Sequence, residues 1–182
     1  MSNIFAALVV IAVAISLSLL FVLLNNRTRY RKLNELLVHF DRLGVENKLI
    51  FSKQEVIRPS AIGLDRINKK LLFVKRIDKE NYEAVLVDLN EVKSAGVKRI
   101  KHRAAGADEK HWLEGSPEKI VLQLEFADNK RPIRLPFYTY LENNILEIPQ
   151  LESRAKDWEA MISRVISGNL KKKALVVLPE NG

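Results

Sequence analysis

Residues Ile4 to Leu24 carry no charged side chain, and every Lys, Arg, Asp and Glu of the chain lies beyond them. The stretch reads IFAALVVIAVAISLSLLFVLL, with Ser16 and Ser18 as its only polar side chains. As a helix rising about 1.5 Å per residue it would span roughly 30 Å, the thickness of a bilayer's hydrocarbon core. A soluble fold has no ready use for such a segment, so a single transmembrane helix is the expectation. The remaining 158 residues, 25–182, must then supply everything else.

A cleaved signal peptide is the competing reading. It would place basic residues before an apolar run of about 7–15 residues and a small-residue cleavage site after it. Here no basic side chain precedes Ile4, and Leu23-Leu24-Asn25-Asn26 is a poor cleavage site. The basic flank lies wholly on the C-terminal side, at Arg27, Arg29, Arg31 and Lys32. Insertion disfavours moving such residues across the membrane. The expected topology is a short N-terminus outside and residues 25–182 in the cytoplasm, at the inner membrane. The same four charges would lie near anionic headgroups. Ala12/Ser16 and Ala14/Ser18 have the small-xxx-small spacing that lets membrane helices approach closely.

With 30 Lys and Arg against 22 Asp and Glu, the chain carries +8. The excess is spread over Lys69/Lys70/Lys75/Arg76, Lys98/Arg99/Lys101/Arg103, Lys130/Arg131/Arg134 and Lys171 to Lys173. The anionic inner leaflet is the natural neighbour of a tethered basic domain. A solvated, solubilising surface is the alternative. No nucleic-acid motif accompanies the charge. Cysteine is absent, which excludes disulfides, thiolate metal sites and a cysteine nucleophile.

Past the anchor, Leu33, Leu36, Leu37, Phe40 and Leu43 recur at helical spacing, and Gly44 stands where a helix would stop. The spacing predicts an amphipathic connector helix, with its apolar face expected to pack on the domain that follows. Then the period changes to that of strands. Strands are expected within Leu49–Pro59, at Ala61–Asp65, Lys70–Arg76, Glu83–Asp88, Val92–Ile100, Lys119–Phe126 and Ile133–Tyr140. Asn68 is the residue expected to take the left-handed backbone of a hairpin turn. Residues 103–117 read as a long polar loop. A helical stripe follows at Leu151, Ala155, Trp158, Ile162 and Val165, ending at Gly168, and Ala174 to Leu178 is strand-like. The expected organisation is an anchor over 1–24, a connector over 25–47, a β domain over 48–168 and a tail over 169–182. A curved antiparallel sheet or barrel would be closed by the C-terminal helix, with Trp158 as the large plug.

Three stretches then carry a resemblance: AIGLDRINKKLLFVKR (61–76), YEAVLVDLNEVKSAGVKR (82–99) and the closing helix with Trp158. Over about residues 48–168 the chain resembles a pleckstrin-homology-like (PH-like) domain of the small bacterial kind attached to membrane helices. The resemblance implies binding rather than catalysis. It also implies that Lys69, Lys70, Lys75 and Arg76 occupy the neighbourhood where some relatives bind phosphoinositide headgroups.

No residue pattern identifies a reaction. His39, His102 and His111 lack metal-ligand spacing. The GxSxG, GxxxxGK and GxGxxG motifs are all absent. Neither cofactor nor metal is expected. Trp112, in the loop segment EKHWLEG, is a candidate anchor for a protein partner, or folds back to cap the sheet. Phe137, Tyr138 and Tyr140 follow Pro136, and proline there suggests an edge strand able to accept a partner's strand. The leading expectation is a membrane-anchored, non-catalytic adaptor or scaffold. A lipid-headgroup sensor is the second reading and an enzyme with spatially assembled carboxylates the third.

Overall fold

A computed structural model of the chain describes residues 30–78, 81–101, 117–127 and 130–176, with side chains up to residue 168. The charge-free segment, Arg27, Arg29, Trp112, His102 and His111 all lie outside the described residues. No helix among the described residues is long and apolar enough to cross a membrane. The chain divides into two compact units, Met1–Leu43 and Gly44–Gly182.

The first described element is helix α1, residues 30–46. Arg31 forms an i,i+4 ion pair with Glu35 at 3.1 Å, and Lys32 is exposed. Leu36 and Phe40 are its buried apolar positions. The helix does not stop at Gly44, as the sequence suggested. The Leu49 N–H donates to Gly44 O and the Lys48 N–H to Val45 O, with Lys48 at φ 54°. This is a Schellman ending with lysine in the left-handed position usually given to glycine. Gly44 instead makes room for a close neighbour, since a Cβ there would lie 2.8 Å from the ring of Phe51.

Among the described residues seven strands follow: β1 Lys53–Ile57, β2 Ser60–Asp65, β3 Lys70–Arg76, β4 Tyr82–Asp88, β5 Val92–Ile100, β6 Lys119–Phe126 and β7 Ile133–Thr139. They form two antiparallel sheets, ordered β1-β2-β3-β4 and β5-β6-β7. Among the described residues the strands do not close into a single curved sheet or barrel. The reason lies in the β4–β5 turn. Leu89 is fully buried and its N–H donates to Lys69 O, and the Glu91 N–H donates back to Asp88 O. The chain is thereby redirected, and Val92 begins a new ladder opposite Phe126, with a bulge before Ser94.

The β2–β3 turn also differs from expectation. Lys69, not Asn68, has positive φ, at 53°. Asn68 is held instead by Asp65, whose carboxylate accepts from the Asn68 N–H and side-chain amide, each at 2.8 Å.

A capping box at Asn144 and Glu147 opens a single 3-10 turn, Ile145–Glu147, which runs into helix α2, Ile148–Val176. Pro149 sits in the first turn, where its missing N–H costs nothing. The helix passes through Gly168 rather than ending there, so Ala174 to Val176 are helical instead of strand-like. Residues 177–182 lie outside the described residues. An exposed helical glycine costs only about 1 kcal/mol against alanine, too little to stop a helix by itself.

The core joins all three layers. Ile62, Leu64, Leu71 and Phe73 come from the first sheet, and Ile120, Leu122 and Leu124 from the second. Leu151, Ala155, Trp158, Ile162 and Ile166 come from α2. Ile166 is buried, and Val165, expected on the stripe, packs partly buried beside it. Trp158 is fully buried, and its indole N–H donates to Glu55 Oε2 on β1 at 2.8 Å. The other oxygen of Glu55 faces Arg154 at 3.4 Å. Hence the large apolar plug is also the hydrogen-bonded link between the last element and the first strand.

Candidate functional site

The basic quartet Lys69, Lys70, Lys75 and Arg76 does not converge. Lys69 lies in the turn just before β3 and Lys70 opens that strand, whereas Lys75 and Arg76 close it. At about 3.3 Å per residue, the two pairs sit roughly 20 Å apart. Lys75 is engaged by Glu142 at 2.8 Å, and Arg76 lies over the Tyr82 ring at 5.9 Å. The Arg76 Nε also donates to Asp78 O at 2.7 Å.

A different basic grouping comes from the turns. The Leu89 N–H bonds Lys69 O at 2.8 Å, and the Ala127 N–H bonds Glu91 O at 3.4 Å. These bonds stitch the β2–β3, β4–β5 and β6–β7 turns together at one end of the domain. That end presents Arg66, Lys69, Lys70, Lys130 and Arg131. Its acids are largely engaged: Asp65 and Asp88 bond turn amides, and Glu91 pairs with Lys130 at 2.7 Å. Burial alone would raise the Asp65 carboxyl. The amides of Asn68, Ile50 and Ile67 and the Asn68 side chain outweigh it and hold Asp65 below the ordinary carboxylate range.

The aromatic candidates separate by exposure. Phe137 and Tyr138 are 1% and 0% exposed, so neither offers surface to a partner; Tyr140, at 39%, does. A bulge in β7, opposite Ile120 and Val121, turns Tyr138 inward across from Ile120. Its hydroxyl is the one buried side-chain oxygen without a hydrogen-bond partner among the described residues. Burial pushes its pKa up, with smaller contributions from Tyr140 and Glu147.

Sheet edges decide where a partner strand could add. As Pro136 suggested, β7 is an edge strand, but it offers little: Pro136 has no N–H, and the Thr139 N–H is taken by Asn143 Oδ1. On β5 the Val97 N–H is taken by Glu159 Oε2 of α2 at 3.1 Å. Arg99 forks onto Glu152 beside it, which holds the Glu152 carboxyl below its usual range. Edge β1 is only five residues long and carries Lys53, Gln54 and Glu55.

The β4 edge is different. Hydrogen bonds of Leu89 N–H to Lys69 O and Ile77 N–H to Asn81 O fix the parity of the β3–β4 ladder. Since bonded pairs alternate in antiparallel strands, Glu83, Val85 and Val87 bond β3. Tyr82, Ala84, Leu86 and Asp88 therefore direct their amides and carbonyls away from the sheet. Among the described residues, no hydrogen bond reaches Ala84 or Leu86 on that side. Ala84 is exposed and Leu86 is 40% exposed. Behind them on the same face stand Val74 and Leu72, both buried. A seven-residue, partly apolar edge strand, open at Ala84 and Leu86, is a ready template for strand addition. In the sequence its only signal was a strand, EAVLVD, whose exposure depends on which strand happens to lie last in the sheet.

No group of three or more potential metal-ligating side chains is found among the described residues. His39 lies on α1 with Nδ1 3.3 Å from Arg42. No protein-family model, no curated protein and no solved structure matches this chain.

Proposed function

We propose that this chain is a single-pass, membrane-anchored, non-catalytic adaptor whose PH-like cytoplasmic domain accepts a protein strand along the free edge of β4. The observation that carries the reading is that edge, where Ala84 and Leu86 are exposed and no hydrogen bond reaches them on the outward side among the described residues. Support for the PH-like assignment comes from the order of elements: four antiparallel strands, then three, then one helix whose tryptophan fills the core. Support for the anchor comes from the charge-free run and its one-sided basic flank. Trp112, in the sequence between β5 and β6, is a second proposed contact for the partner. The test is amide hydrogen exchange on the full-length protein in its native membrane and after purification. Slower exchange at Ala84 and Leu86 in the membrane is expected; equal, fast exchange in both rejects the edge as a binding site.

A second reading is favoured by the stitched turns. Their basic residues Arg66, Lys69, Lys70 and Arg131 would contact anionic lipid, each contributing on the order of 1 kcal/mol. Flotation of residues 44–182 with vesicles containing phosphatidylglycerol tests it. Salt-sensitive binding lost in Lys69→Glu/Lys70→Glu is expected; binding unaffected by salt or charge reversal rejects it.

A further inference from the structure

We infer that the occupant of the β4 edge is the β4 edge of a second copy of this chain, paired antiparallel about a two-fold axis through Val85. This rests on the adaptor reading for the use of that edge and adds the identity of the partner. In a two-fold contact, whatever residue i meets in its partner must in turn meet residue i. Strand β4 runs from Tyr82 to Asp88, so Val85 is its midpoint. A two-fold axis there is the only symmetric register that pairs all seven residues.

In that register Tyr82 stands opposite Asp88 of the second copy, and Ala84 opposite Leu86. These four are the residues whose amides and carbonyls point outward, so the register satisfies them as hydrogen-bonded pairs. Side chains complement as well. Leu86, exposed at 40%, would cover Ala84 of the second copy. Buried Leu72 and Val74 flank that pair, giving an apolar row across four strands. The next row carries Arg76, Tyr82, then Asp88 and Lys70 of the second copy, so the carboxylate lies between the Tyr82 ring and a cation, with Arg76 over the far side of that ring. Glu83 faces Val87, and no like charges stand directly opposite, an arrangement that would be destabilising. Moving the axis to Leu86 instead sets Asp88 against Ala84. The result is a continuous eight-stranded sheet. Tethering to one membrane would raise the effective concentration of one copy near another.

The chain has no cysteine, so a single introduced thiol reports the register. Val85→Cys places two thiols in a non-hydrogen-bonded pair with Cα atoms about 4.5 Å apart, within disulfide reach. Glu83→Cys would lie four residues from its own copy along the paired strands, roughly 13 Å. Mild oxidation of the full-length variants in membranes is expected to cross-link Val85→Cys at least tenfold more than Glu83→Cys. Leu86→Lys in the Val85→Cys background should abolish the product, with a melting curve confirming that the variant folds. Absence of cross-linking at Val85, or equal cross-linking at both positions, overturns the dimer. If the dimer fails while Ala84 and Leu86 stay protected in membranes, a different protein occupies the edge and the adaptor reading survives. If the protection is missing as well, both fall.

Discussion

Tyr138 shows how one atom can be legible in a fold and invisible in a sequence. Its ring fills core space, but its hydroxyl is buried without a partner among the described residues. An unsatisfied buried hydroxyl costs on the order of 1–3 kcal/mol, less whatever water the site admits. Tyr138→Phe should therefore leave stability unchanged or raise it by up to about 1 kcal/mol in urea unfolding, whereas most core changes lower it. Asp65 presents the opposite case, a buried carboxylate with its acceptors filled by amides. Its folded pKa lies below the ordinary value, so its stabilisation is complete above that value. The stabilisation is lost as pH falls through the lowered folded pKa. Unfolding free energy should decline below about pH 4, and Asp65→Asn should flatten part of that decline. At neutral pH the same change should cost about 1–3 kcal/mol, because an amide NH₂ would face the Ile50 and Asn68 donors.

Among the elements, strands were legible and helix ends were not. The spans expected for Lys70–Arg76, Val92–Ile100 and Lys119–Phe126 coincide with β3, β5 and β6. Alternation of apolar and polar residues is written directly in the chain, since a half-buried strand needs it. Helix stops depend on weaker, competing terms. Gly44 and Gly168 looked like ends, but one accommodates Phe51 and the other sits in open space within α2. Lys48 takes the left-handed position instead, at a cost of about 1–2 kcal/mol that glycine would avoid. Lys48→Gly should accordingly raise the melting temperature. Gly168→Ala should add about 0.5–1 kcal/mol, since nothing lies within 4 Å of the new methyl group. Differential scanning calorimetry reads both.

At the scale of the whole molecule, the candidate site was the least legible part. Lys69, Lys70, Lys75 and Arg76 are neighbours in sequence, yet β3 carries them to opposite ends of the sheet. Phe137 and Tyr138 sit on an edge strand, yet a bulge directs them inward. Which edge is open follows from contacts distant in sequence: Glu159 reaching Val97, and Leu89 bonding Lys69 at the turn that divides the strands between two sheets. Local pattern contains none of these. Trp158 was readable as the plug of the core, though not as a donor to Glu55. Trp158→Ala should cost about 3–5 kcal/mol. Trp158→Phe should cost less, but more than a simple volume change, because Glu55 loses its donor; equilibrium unfolding of Trp158→Phe alone and combined with Glu55→Gln separates the two terms.

The bond between Trp158 and Glu55 spans 103 positions of the chain. During synthesis the first sheet can form early, because each of its strands pairs with its immediate neighbour. Such local pairings close quickly, and contacts distant in sequence close late. The core is therefore completed only after α2 has left the ribosome, and until then the first sheet has Glu55 waiting without its indole. A chain truncated before Trp158 would leave the apolar face that α2 covers exposed to solvent.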